Sequence, residues 1–315
     1  MMDWTDRHFR YFLRQVSSSA FLYSEMITTG ALLHGNVERH LAFSAAEHPV
    51  AAQLGGSEPD ELARCAKLVE QYGYDEVNLN IGCPSERVQR GAFGACLMAE
   101  PELVADCVRA MREAVKIPVT VKHRLGINRI ESYDFVAGFV ETVSRAGCTT
   151  FIAHARNAIL KGLSPKENRE VPPLKYDYVY RLKRDFPALE FVLNGGLANA
   201  QSHPGVDGIM LGRAAYHDPW VLADAGNERR RVVMSMFAYS KDFLSKKDSR
   251  LRHIARHMLG LYHGHRRARL WRRMLSDSAR LSQNDPALLL EALDAVESPK
   301  YPEVSDERRP QIQVR

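Results

Sequence analysis

Residues 77–97 read VNLNIGCPSERVQRGAFGACL, and Cys83 stands on a Gly-Cys-Pro corner directly after a strand-like run. Val77, Leu79 and Ile81 alternate there with Asn78 and Asn80, so two amides share the face opposite the apolar one. The same alternation recurs around it. Val50, Ala52 and Leu54 leave Gln53 on the other phase. Val119 and Val121 leave Lys122, Phe151 and Ala153 leave His154, and Phe191 and Leu193 leave Asn194. With Asn80, five consecutive strand-like runs each bring one hydrogen-bonding side chain to the inner phase near the C-terminal end. Any one of these could be a satisfied core polar group; five together make a site. Two later stretches add Asn194-Gly195-Gly196 and Gly212-Arg213. Glycines after the last strands of a barrel let backbone N–H groups approach an anion, and Arg213 can pair with phosphate. A phosphate-bearing cofactor is implied, and FMN suits a mouth lined by amides and one lysine.

The elements that must position these groups are strands at 21–26, 49–54, 76–82, 119–124, 150–155, 190–196 and 208–213. Helix-like segments such as EPDELARCAKLVEQYG and PELVADCVRAMREAVK lie between them. The first of these has Ser57 as its expected N-cap, then Pro59, with Gly73 as its stop. Strand–helix alternation at this pitch predicts a parallel α/β architecture, and a (β/α)8 barrel fits the length. Only seven strands are visible, and the chain opens on a helix-like run, DRHFRYFLRQV. The reading is a barrel whose first strand is missing. The last repeat is also short, with eleven residues between Gly196 and Gly208. Beyond Trp220 strand patterns give way to helical ones. The expected division is a barrel domain at 1–225, a helical domain at 226–297 and a disordered tail at 298–315, rich in Pro, Glu and Arg.

At 315 residues, with 45% hydrophobic and 26% charged residues, the composition is that of an ordinary globular protein. Five scattered cysteines, none in a C-x-x-C pair, argue against a disulfide framework or structural zinc and for a reducing, cytoplasmic setting. Nothing resembles a membrane span or signal peptide. Net charge is only +5, yet residues 228–273 carry 14 Lys and Arg against 3 Asp and Glu. Such a basic module suits a polyanionic partner, although charge alone equally describes a solvated helix face.

Assembled, the stretches WTDRHFRYF, LYSEM, AAQLGG, YGYDEVNLNIGCPSERVQRGAFGACL, VTVKHRLG, FIAHARNAILKGLSPKENREVPPL, NGGL, VDGIMLGRAAY and RHMLGLYHGHRRARLWRRMLS resemble the tRNA-dihydrouridine synthases, most closely the A subfamily. They cover nearly the whole chain to about residue 280. The resemblance implies a flavoenzyme that uses NADPH to reduce the C5–C6 bond of D-loop uridines in tRNA, with positions 20 and 20a suggested. It also gives Cys83 a role: hydride from reduced FMN would reach C6 while the thiol protonates C5 from the opposite face. A free thiol, with a pKa of roughly 8.5, is mostly protonated near neutrality and can act as a general acid. Most free cysteines are small buried hydrophobes; Cys65, Cys96, Cys107 and Cys148 are read so.

Carried over residue by residue, the resemblance implies that Gln53, Lys122, His154, Asn194, Gly195, Gly196, Gly212 and Arg213 bind FMN. Lys122 would lie near the edge of the ring that becomes anionic on reduction. Asn80 would sit between flavin and substrate base. Lys166, Arg169, Arg269 and Arg272 match tRNA-contacting positions. No metal site is expected, since His253 and His257 sit among arginines without a carboxylate or thiol beside them, and the expected state is a monomer. The chain departs from the family at its start, where a strand ending in Ala-Pro-Met normally precedes the DWTD segment, and after NGGL, where a helix is trimmed. Two rival readings follow: an FMN-dependent barrel reducing a small molecule, such as a dihydroorotate- or enoate-type enzyme, and a truncated, inactive tRNA-binding protein.

Overall fold

Each strand–helix repeat of the first unit buries one apolar face on each partner. The structure, a computed structural model, describes residues 1–201, 203–246 and 248–297, so the expected tail from Ser298 lies outside the described residues. The chain divides into two compact units, Met1–Asn227 and Glu228–Arg315. The first opens with helix α1 (Arg7–Val16), whose N-cap Asp6 accepts from the amides of His8 and Phe9. Seven strands follow: β1 (Leu22–Thr28), β2 (Val50–Gly55), β3 (Glu76–Ile81), β4 (Val119–His123), β5 (Thr150–His154), β6 (Glu190–Asn194) and β7 (Gly208–Met210). They form one parallel sheet in sequential order, each strand beside its predecessor. β1 and β7 each have one strand neighbour among the described residues, so the sheet is a barrel wall open at that seam. It curls: Lys122 on β4 donates to Asn194 on β6, two strands away, at 3.1 Å.

Helices α2 (Pro59–Gln71), α3 (Pro101–Ala114), α4 (Tyr133–Arg145) and α5 (Tyr176–Asp185) are the crossovers. Leu62, Cys65, Ala66 and Val69 on α2, with Val104, Val108 and Met111 on α3, are buried at helical spacing. They face the strands' apolar phase, where Val50, Leu54, Leu79, Val121, Phe151 and Leu193 are fully buried. Each such side chain contributes roughly 1.5–3 kcal/mol of transfer free energy. Cys65, Cys107 and Cys148 are buried in this layer, whereas Cys96 is only partly so. The helix cap expected at Ser57 is a correction: α2 begins at Pro59, its N-cap is Glu58, and no side chain caps it. Pro59 at the first turn, with no N–H to satisfy, makes a side-chain cap less necessary. Gly73 does end the segment, with φ +88°. No helix lies between β6 and β7 among the described residues.

The second unit contains helices α6 (Arg229–Leu244), α7 (Arg252–Met258), α8 (Ala268–Leu275), α9 (Ser278–Ser282) and α10 (Ala287–Glu297). Asp277 caps the amides of Ala279 and Arg280 and so starts α9 afresh beyond α8. Trp271 is the buried anchor of α8, its indole donating to the Met258 carbonyl at 2.8 Å. No helix among the described residues is long and apolar enough to cross a membrane.

Candidate active site at the mouth of the sheet

Register decides which polar side chains become neighbours. Gln53 pairs with Asn78 and Asn78 with Thr120; Asn80 pairs with Lys122, and His154 with Asn194. The inner phase is therefore polar over two layers, not only at the rim where the alternation first drew attention. Gln53 donates through Nε2 to Asn78 Oδ1 at 2.9 Å and accepts from Asn80 Nδ2 at 2.7 Å. Asn80 Oδ1 then accepts the backbone N–H groups of Gly82 and Cys83, both at 3.0 Å. That side-chain cap bends the chain into the corner that carries Cys83. The thiol is half-buried and donates to Ser85 Oγ at 3.5 Å.

Across the sheet, Lys122 Nζ reaches Asn194 Oδ1, and Asn194 Nδ2 donates to the Met210 carbonyl at 2.8 Å. Burial, and secondarily Arg124, pulls the Lys122 ammonium down to about 8. His154 sits well below the usual histidine range because of its burial and then the positive charges of Arg124, Lys122, Arg156 and Arg213. It is a neutral imidazole at physiological pH, a hydrogen-bonding group and not a proton donor. Gly195 has φ +114° and Gly196 φ +67°, conformations an L side chain rarely takes. A Cβ on Gly195 would stand 2.6 Å from His154 Cδ2, so the backbone passes directly under the imidazole. Tyr176 donates to the Gly195 carbonyl at 2.5 Å.

Residue chemistry had not singled out Arg124, Arg156 or Ser85. Arg124 is 3% exposed and ties Gly82 to the following loop through bonds to the carbonyls of Gly82 (3.2 Å), Asn157 (3.2 Å) and Asn168 (2.9 Å). Asn168, fully buried, closes that loop by donating to Ile159, Leu163 and Ser164 carbonyls and accepting from the Ile159 amide. The available signal was an arginine one or two residues beyond a barrel strand, in HR (123–124) and HAR (154–156).

Arg213 does not stand free at the rim: it pairs with Glu170 Oε1 at 3.0 Å and donates to the Arg169 carbonyl. Arg169 thus joins the mouth, while Lys166 is exposed on the same loop. Arg269 and Arg272 are exposed on α8, three residues apart and opposite Trp271. They belong to the second unit. Gly212 precedes a short helix, Arg213–His217, and a Cβ there would touch Met1 Sδ at 3.3 Å. Among the described residues no group of three or more His, Cys, Asp or Glu could hold a metal ion.

Proteins named tRNA-dihydrouridine(20/20a) synthase are similar to this chain over most of its length. The protein from Shewanella oneidensis is 56% identical over 293 residues, spanning 89% of this chain and 87% of its own. The Escherichia coli K12 protein is 54% identical over 311 residues, spanning 94% and 90%. A solved 2-naphthoyl-CoA reductase complex, 11% identical, superposes with a TM-score of 0.50 over 70% of this chain and 46% of that one, a likeness of fold alone. A family profile described as Dihydrouridine synthase (Dus) matches residues 1–297. The chain belongs to the dihydrouridine synthase family.

Proposed function

We propose that this chain is a tRNA-dihydrouridine synthase that reduces the C5–C6 bond of uridines at positions 20 and 20a of tRNA, with FMN at the sheet's mouth and NADPH as reductant. The observation that carries the reading is the convergence, on one rim, of Gln53, Asn80, Lys122, Asn194 and the 194–196 turn beside Cys83. The residues present fit FMN. Gly195 and Gly196, at positive φ, bring the turn's backbone against His154 and Leu174 where a Cβ has no room, so main-chain groups are free to line the mouth, and amide and ammonium donors suit a heteroaromatic ring. Buried Arg156 Nε lacks a hydrogen-bond partner, as a donor for an anionic phosphate would without it. Gln53, Asn80, Lys122, His154 and Asn194 would border the ring; Gly195, Gly196, Gly212 and Arg213, with Arg156, would serve the phosphate.

FMN, when bound, would supply the hydride for C6 of uridine, with NADPH as its reductant. Cys83 Sγ gives its proton to C5, and solvent restores it by way of the Ser85 hydroxyl. The Lys122 ammonium would favour negative charge developing on the reduced ring. His154, neutral, orients without competing as an acid. Arg269 and Arg272 would contact tRNA phosphates, and Lys166 and Arg169 would guide the extruded base, whose unstacking costs a few kcal/mol.

The test is direct. Purified protein with FMN, NADPH and tRNA lacking dihydrouridine should add two hydrogens at positions 20 and 20a, read by nuclease digestion and mass spectrometry. Unmodified tRNA despite bound, reducible flavin would refute the substrate assignment and favour a small-molecule reductase.

A further inference from the structure

A continuous file of side chains runs through the interior of the sheet from its lower layer to the Cys83 corner. Thr120 Oγ1 donates to Glu76 Oε1 at 2.6 Å, and Tyr23 donates to the same oxygen at 2.9 Å. Asn78 Nδ2 donates to Thr120 Oγ1 at 2.8 Å. Gln53 Nε2 donates to Asn78 Oδ1, and Asn80 Nδ2 to Gln53 Oε1. Asn80 Oδ1 accepts Gly82 and Cys83 N–H. Glu76, Asn78, Thr120 and Gln53 are all buried, Asn78 completely.

The ends of this file are chemically obligate. Burial raises the Glu76 carboxyl while hydrogen bonds from Thr120 and Tyr23 lower it; as a carboxylate it can only accept, and a backbone N–H can only donate. Thr120 must therefore spend its proton on Glu76 and accept from Asn78. Asn78 then turns its oxygen to Gln53, and Gln53 its oxygen to Asn80. Read from the other end, the Gly82 and Cys83 amides demand the same amide directions. Flipping any one member would set donor against donor or acceptor against acceptor at two junctions. Barrel interiors are ordinarily filled with Val, Ile and Leu; buried amides cost desolvation unless every one is satisfied, and a fully satisfied network fixes one geometry.

We infer that Glu76, acting through Thr120 and Asn78, is a positioning residue for the reaction: it locks Gln53 and Asn80 in a single amide orientation and so holds the Cys83 corner beneath the substrate base. The inference rests on the functional reading above only in giving Gln53, Asn80 and Cys83 their tasks. The file itself, and its effect on the corner, exist without flavin.

The experiment compares two isosteric pairs. Thr120→Val keeps volume and removes the hydroxyl, whereas Thr120→Ser keeps the hydroxyl and removes a methyl. Glu76→Met removes the accepting oxygens, whereas Glu76→Gln retains one for both hydroxyls. Alkylation of Cys83 by iodoacetamide in flavin-free protein, mapped by peptide mass against Cys96 as internal control, reads the corner. Thr120→Val raises the Cys83-to-Cys96 ratio about fivefold, the worth of one net buried hydrogen bond. Thr120→Ser leaves the ratio near the parent's. If Thr120 merely packs, the order reverses, with Thr120→Ser the disturbed variant. Glu76→Met against Glu76→Gln repeats the comparison should Thr120→Val not fold. A ratio for Thr120→Val or Glu76→Met equal to the parent's overturns the inference. FMN affinity measured alongside falls about tenfold with either break. A parent protein that takes up no FMN would sink the functional reading, while the alkylation ratio would still decide the role of Glu76.

Discussion

Gly195→Ala adds one carbon where the mouth has no room for it. At φ +114° a non-glycine residue is held in sparsely populated backbone space, at a cost of about 1–3 kcal/mol. The added Cβ would also stand 2.6 Å from His154 Cδ2, where ordinary contact begins near 3.4 Å, so the imidazole must retreat by about 0.8 Å. The Gly195 carbonyl is pinned by Tyr176, so the turn has little freedom to yield instead. We expect a loss of about 2–4 kcal/mol, and hence a melting temperature lower by roughly 5–15 °C for a unit of this size. Displacing His154 from the ring should weaken FMN at least about tenfold, or 1.4 kcal/mol. Differential scanning calorimetry and quenching of FMN fluorescence measure the two. A variant with unchanged melting and unchanged FMN affinity would refute the reasoning, since it would mean that the turn does not lie under the imidazole.

Three further outcomes follow from the same geometry. Peptide-mapped acylation of Lys122 in flavin-free protein should have its midpoint near pH 8, because burial lowers the ammonium, charged below that pH and neutral above it; an ordinary midpoint of about 10.4 would contradict the burial. Exchanging Arg269 and Arg272 together for Ala should weaken tRNA binding and flatten the log K against log salt plot by about 1.5 units, with little effect on FMN uptake; an unchanged slope removes both from the RNA surface. Arg10→Leu should cost about 3–5 kcal/mol in urea melts, because Glu47, 1% exposed and bonded to Arg10 at 2.7 Å, is left buried without its partner; Arg10→Leu as stable as the parent would show the pair to be dispensable.

Strand order and the inner phase were legible because a parallel strand buried on both faces alternates two kinds of core. Val50, Val77, Val119 and Phe151 marked one phase, and Gln53, Asn80, Lys122 and His154 the other. The same alternation, read two residues earlier, contained Asn78 and Thr120, but interior polar groups are exceptional in such folds and their pairing emerges only with register. The loop from 156 to 175 has no periodicity to read. Its order comes from Asn168 satisfying four backbone groups and from Arg124, contacts spanning up to 44 residues. The Arg213–Glu170 pair, 43 residues apart, was hidden for the same reason. The Ser57 cap was misplaced by one residue because Pro59 had already satisfied the helix start without it.

The central claim is that one rim binds the cofactor while Cys83 supplies the proton. Cys83→Ala, reduced with NADPH and mixed with tRNA in a single turnover, tests it most directly. The account predicts that FMN affinity, flavin reduction and tRNA binding persist while flavin reoxidation by tRNA and dihydrouridine formation fall by two or more orders of magnitude, at the low end of what a general acid contributes, about 10²–10⁴-fold. Dihydrouridine formed at the parent rate would contradict it.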